Sequence, residues 1–192
     1  DAEVSAIATS EKSVFVGGRF DTINDQKAPR LAEITSEGKI VDFVYPPQET
    51  NVVNALVVAN VRLFVGGDFV FYLPFNDTDY YTRSQLASFK VLHDRTDANR
   101  DRLVSRLDLE WPDLTGGDIK SLAVQGNRVF IGGSFTQING ENRKHAAAFE
   151  ITSDSKTKLL PWNPDIGGYS VKALAVADEA IYAGGEFNTI GP

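Results

Sequence analysis

A pair of adjacent glycines recurs four times along this chain, as Gly17-Gly18, Gly66-Gly67, Gly132-Gly133 and Gly184-Gly185. Each pair ends an apolar run: Val14-Phe15-Val16, Leu63-Phe64-Val65, Val129-Phe130-Ile131 and Ile181-Tyr182-Ala183. One residue beyond each pair stands a phenylalanine: Phe20, Phe69, Phe135 and Phe187. Upstream of each pair, at a constant distance, lies a β-branched residue (Val4, Val53, Ile119, Val171) that opens a run of alternating apolar and small residues. Glycine weakens a strand, because it adds backbone entropy and has no side chain to pack. Two of them in the same place four times over therefore imply a steric use. Side-chain-free positions let neighbouring sheets approach and let the strand bend.

The rest of the repeat follows from the same alignment. A third shared run is Leu31–Ile34, Leu86–Phe89 and Ala146–Phe149. A fourth segment ends in an aromatic near a proline: Phe43 or Tyr45 before Pro46, Trp111 before Pro112, Trp162 before Pro164. Each period reads as four short strands separated by turn residues such as Asn139-Gly140, and no helical periodicity is present. A period near fifty residues points to β-propeller blades rather than to helical solenoid repeats. The expected fold is all-β, with four-stranded antiparallel blades at residues 1–52, 53–118 and 119–170 and the first half of another at 171–192. Three and a half blades are short of a ring. Further sequence is expected on the C-terminal side, and the partners closest at hand are remaining blades of the same chain or neighbouring subunits. The glycine doublets, with Trp111 and Trp162, are assigned structural roles at the wedge between blades.

The order of double glycine, long loop, third strand and tryptophan resembles the kelch repeat. The fuller pattern, seen best in Ile131-Gly-Gly-Ser-Phe-Thr-Gln-Ile-Asn-Gly140 and Pro161-Trp-Asn-Pro164, more closely resembles a kelch-related class. That class occurs in secreted bacterial propeller proteins and in the ectodomains of fungal cortical polarity-marker proteins. The resemblance covers nearly the whole chain. Repeat two departs from it, with Val70–Phe75 in place of the Thr-x-Ile-Asn-Gly segment. The resemblance implies a propeller, an extracellular or cell-surface location and a non-catalytic role in adhesion or surface architecture. It supplies no ligand, because fold does not fix function.

Composition narrows the field. A net charge of −7 repels phosphate backbones and argues against nucleic acid. The absence of cysteine excludes disulfides, thiolate metal sites and cysteine nucleophiles. No apolar run is long enough to span a bilayer. Residue 1 is Asp and the sequence contains no Met, so the chain is read as a processed or internal portion.

Repeat two carries two insertions. Residues 70–82 bring together Phe71, Tyr72, Phe75, Tyr80 and Tyr81, read as a candidate platform for a protein or glycan ligand through stacking and hydrogen bonds. The alternative is a loop folded over a neighbouring blade. Asn76-Asp77-Thr78 within it is an N-glycosylation sequon. Residues 92–106 mix Arg and Asp and read as a solvated loop. Their Asp94, Asp97 and Asp101 lack the calcium-loop spacing, so no metal site is assigned. Arg30 and Arg143 are candidate bridges to carboxylates of the next blade. His93 and His145 stand in unrelated contexts, and no catalytic triad, metalloprotease motif or phosphate loop is visible. The expectation is a cofactor-free binding or structural scaffold. The competing expectation is part of a secreted carbohydrate-active enzyme whose site is completed by blades outside this sequence.

Overall fold

A computed structural model describes residues 3–42, 52–74, 80–91, 111–153 and 156–191, with backbone alone at 42, 72–74 and 80–83. The chain divides into two compact units, Asp1–Leu109 and Glu110–Pro192. Both are all-β, every strand pairing is antiparallel, and no helix occurs among the described residues. In the first unit, β1 (Glu3–Thr9), β2 (Ser13–Arg19), β5 (Leu31–Thr35) and β6 (Ile40–Asp42) form one four-stranded sheet in that order. The ribbon β3 (Thr22–Ile23) and β4 (Gln26–Lys27) lies between β2 and β5 in sequence. A second sheet consists of β7 (Val52–Ala59), β8 (Arg62–Pro74) and β9 (Tyr80–Lys90). In the second unit, β11 (Ile119–Gln125), β12 (Arg128–Gly133), β15 (Ala146–Ile151) and β16 (Thr157–Leu159) repeat the four-stranded arrangement. A small sheet of β10 (Leu114–Thr115), β13 (Gln137–Ile138) and β14 (Glu141–Asn142) stands beside it. The hairpin β17 (Gly167–Ala177) and β18 (Ala180–Thr189) follows.

The four glycine doublets occupy the same register. Val4, Val53, Ile119 and Val171 pair with the second glycine of their doublets, and the residue two places on pairs with the first. One residue is thus left over in each leading strand: Ser5, Asn54, Lys120 and Lys172. Each is a β-bulge carrying a polar side chain. The bulge presses the leading strand's backbone onto the second glycine. A Cβ at Gly18, Gly67, Gly133 or Gly185 would strike the carbonyl oxygen of Glu3, Val52, Asp118 or Ser170 respectively.

The first glycine has a different task. In the first unit β7 packs across β1 and β2, and in the second β17 packs across β11 and β12. A Cβ on Gly17 would lie 3.1 Å from Val53 Cβ and 3.2 Å from Leu56 Cδ1, and closer still to Val53 Cγ1. A Cβ on Gly132 would lie 2.7 Å from Val171 Cγ1 and 3.1 Å from Leu174 Cδ1. The same pair of leading-strand residues, β-branched then Leu three places on, therefore rests on the same bare glycine at both junctions. The doublet divides its labour: one glycine admits the next sheet, and the other admits its own sheet's bulge.

The loop after the doublet also repeats. Asn24 and Asp25 (φ 48° and 61°), like Asn139 and Gly140 (φ 50° and 78°), take left-handed backbone at the tips of β3–β4 and β13–β14. Positive φ at both central residues is the hairpin turn that Asn-Gly favours. The chain re-enters the sheet through another left-handed residue: Arg30, Gln85 or His145 (φ 65–66°). The backbone N–H of Arg30 donates to Phe20 O at 2.8 Å, and its carbonyl accepts from Gly18 N–H at 3.0 Å. His145 makes the equivalent pair with Phe135 O and Gly133 N–H, both 3.0 Å. These bonds fix the doublet to the start of the third strand, beneath which Phe20, Phe69 and Phe135 are buried.

Two sequence expectations change. Residues 70–82 do not form a separate loop. β8 and β9 continue past the doublet as a ribbon, paired from Val70↔Ser84 to Pro74↔Tyr80. Residues 111–118, assigned by sequence to the second repeat, belong with the second unit: β10 pairs with β13, and Trp111 packs edge-on against Phe149 at 5.5 Å. Residues 92–106 lie outside the described residues.

Gly132 and Gly184 occupy equivalent positions, but a Cβ on Gly184 meets only Ala173 Cβ, at 4.0 Å. Gly132→Ala should destabilise the second unit by about 1–3 kcal/mol through overpacking. Gly184→Ala should be neutral or stabilising by about 0.4–1 kcal/mol through reduced unfolded-state entropy. Urea unfolding followed by tryptophan fluorescence reads this unit directly, since both tryptophans, Trp111 and Trp162, lie within it.

Candidate functional site

The aromatic cluster singled out by sequence separates on folding. Phe71 is 1% exposed and belongs to the core of the first unit, with edge-on contacts to Phe69 (4.7 Å) and Phe89 (5.6 Å). It is a packing residue, and its assignment to a ligand platform is corrected. The alternation of the extended β8 strand carries Phe69 and Phe71 to the same interior, a consequence of pairing that a loop reading misses. Tyr72, Tyr80 and Tyr81 lie on the β8–β9 ribbon, with Tyr72 opposite Thr82, Tyr81 opposite Leu73 and Tyr80 opposite Pro74. Phe75 and Asn76, and with Asn76 the sequon, fall outside the described residues, as does His93.

The polar groups of the loop face serve their own repeats. Arg30 is buried; its Nη1 donates to Phe20 O (2.9 Å) and pairs with Asp21 (2.9 Å). Arg143 pairs with Glu141 (3.0 Å) and donates to Asn142 O (3.1 Å). Neither bridges to a carboxylate of a following repeat, as the sequence reading had them do; the tight hairpin places a nearer partner within reach of each. The Asn139 side chain accepts from Asp113 N–H (3.0 Å) while Asn139 N–H donates to Asp113 O (2.9 Å). The segment entering the repeat is thereby tied to the loop after the doublet. His145 is buried at the left-handed position before β15, with no hydrogen-bond partner at Nδ1.

The most developed polar constellation was not singled out from sequence. Asp118 precedes the bulge of β11. Its Oδ1 accepts from Ser134 Oγ (2.5 Å) and its Oδ2 pairs with Lys120 Nζ (2.6 Å), Lys120 being the bulge residue itself. Ser134 Oγ also accepts from Asp118 N–H (3.0 Å). Burial opposes ionisation of Asp118, but the Lys120 ammonium and the Ser134 hydroxyl outweigh it and hold the carboxyl below its ordinary range. In the last hairpin the bulge residue Lys172 pairs instead with Glu186 (2.5 Å), across from it on β18, with both side chains about half exposed. Such exposed pairs contribute little to stability.

Two hollows lie in the second unit. One, of about 370 Å³, is bounded by Phe130, Ala148, Leu160, Trp162, Val176 and Ile181, with Arg128, Asp178 and Glu179 at its mouth. Trp162 sits edge-on to Phe130 at 5.6 Å along it. In the first unit the corresponding flank is packed: Phe15 shares a core with Ala87, Phe89 and Val91, from β9 and the residue after it. The other hollow, of about 610 Å³, is a shallow groove along Gly168, Tyr169 and Glu186–Asn188. Among the described residues no cluster of three or more His, Asp or Glu has metal-binding geometry. The described surfaces offer stacking faces and hydrogen-bonding rims, which suit recognition.

Asp118 gives a pH signature. A depressed folded-state pKa stabilises the fold above the unfolded-state value of about 3.9, and that contribution is lost as pH falls through the folded pKa. Asp118→Asn should lower the urea midpoint of the second unit at pH 7. The gap to the unsubstituted protein should close as pH drops below about 4. A gap that is constant across this range would show that the carboxylate charge contributes nothing.

No protein-family model matches this sequence, and no curated protein is significantly similar to it.

Proposed function

We propose that this chain is a section of a β-propeller in an extracellular or cell-surface protein, acting as a non-catalytic scaffold that presents a binding surface to a protein or glycan. The observation that carries the reading is the repeated seam: Val53 and Leu56 on Gly17, and Val171 and Leu174 on Gly132. Sheets stacked by their leading strands onto side-chain-free positions can approach most closely at that edge, as blades do around an axis. The kelch-like order of doublet, hairpin loop, third strand and tryptophan supports the same reading. So does the use of Arg30, Asn139 and Asp118 in internal ties.

The β8–β9 ribbon is the proposed presenting element. It extends one sheet by five residue pairs beyond the doublet register, and it carries Tyr72, Tyr80 and Tyr81. Tyrosine combines a stacking face with a hydrogen-bonding hydroxyl, which suits sugar rings and protein surfaces alike.

The test is co-sedimentation with insoluble chitin, β-glucan and mannan, with assay of released reducing sugar. Retention without sugar release is expected, and Tyr80→Ala/Tyr81→Ala should weaken it about tenfold with an unchanged circular dichroism spectrum. Release of reducing sugar would favour the carbohydrate-active enzyme instead. Retention unaffected by the double substitution would remove the ribbon as the presenting element.

A further inference from the structure

The two internal junctions state a rule for what a sheet of this chain accepts on its glycine face. The occupant is a leading hairpin with a β-branched residue over the first glycine and Leu three positions later beside it. Two faces are left uncovered. On the last hairpin, Gly184, Tyr182 (60% exposed), Ala173 and Ala175 form the equivalent accepting face; a covered counterpart of Tyr182, Phe15, is 1% exposed. On the first sheet, Val4 (53% exposed) and Ile7 (63% exposed) are the counterparts of Val53 and Leu56, and of Val171 and Leu174.

We infer that the accepting face of β17–β18 and the donating face of β1–β2 are complementary, and that copies of this chain associate head to tail through them. In the joint, Val4 and Ile7 of one copy rest on Gly184 of the next, as Val171 and Leu174 rest on Gly132. The inference stands on the junction contacts alone and does not require the propeller reading or any ligand. The contact is heterologous, since different surfaces meet, so each copy offers one face of each kind. The faces are small, two strands wide, which places the association among weak interfaces.

Sedimentation velocity on the 192-residue chain tests this directly. The weight-average mass should rise between about 5 and 200 μM, the range expected of a weak interface. Ile7→Asp removes the donating face and Gly184→Leu blocks the accepting face; each variant alone should remain monomeric. Mixed in equal amounts they should form a dimer that grows no further, because one donating and one accepting face survive in the mixture. Circular dichroism matching that of the unsubstituted chain excludes misfolding, and Val4→Asp serves as a second donating-face variant. A chain monomeric throughout, variants that associate like the unsubstituted chain, or a mixture that stays monomeric would each overturn the inference.

Discussion

The structure depends on an absence of atoms. At Gly17 and Gly132 a single methyl group would stand inside the van der Waals envelope of a valine and a leucine from the adjoining sheet. Interiors are packed densely enough that one methylene is felt, so these positions set how near two sheets can come. Around each seam the fold adds fixtures that hold the backbone in place. The bulge in the leading strand presses onto the second glycine. The carbonyl of Arg30 or His145 accepts from that glycine's N–H, and the left-handed hairpin tip returns the chain to the third strand. The cost of two glycines in a strand is offset by a close contact that no other residue permits.

This arrangement explains why the chemistry of the loop face is spent locally. Arg30 completes a carbonyl and an aspartate of its own repeat, Asn139 fastens the incoming segment, and Asp118 is held by Lys120 and Ser134. Lys120 owes its position to the bulge, so the polar clasp and the glycine seam are two outcomes of the same backbone irregularity. A scaffold whose ionisable groups serve as fasteners leaves recognition to the elements that project from it, which here is the β8–β9 ribbon.

Much of this was legible in the sequence because glycine, proline and aromatic residues at fixed spacing leave a strong signature. The doublets, the third strands and the Asn139-Gly140 turn all lie where the spacing placed them. The division of labour between the two glycines was not legible, since a glycine looks the same whether it yields to a neighbouring valine or to its own sheet's carbonyl. Nor was the left-handed residue before the third strand: Arg30, Gln85 and His145 share a backbone conformation but no side-chain chemistry. Phe71 misled for a related reason. Aromatic density suggests a surface platform, but strand pairing that continues past the doublet turns alternate residues inward. Trp111 follows the second repeat in sequence yet packs on Phe149, because the linking segment completes the small sheet of the unit it enters.

The central claim is a direct steric coupling between a bare glycine and the sheet that rests on it, and a double-mutant cycle on Gly132 and Val171 measures it. Val171→Ala removes the Cγ1 atom that a methyl at position 132 would meet. Unfolding free energies for Gly132→Ala, Val171→Ala and the pair should therefore be non-additive. The double variant should be more stable than the sum of the single effects by about 0.5–3 kcal/mol. Effects that add to within about 0.3–0.5 kcal/mol would mean that the two residues do not press on one another, and the seam would lose its physical basis.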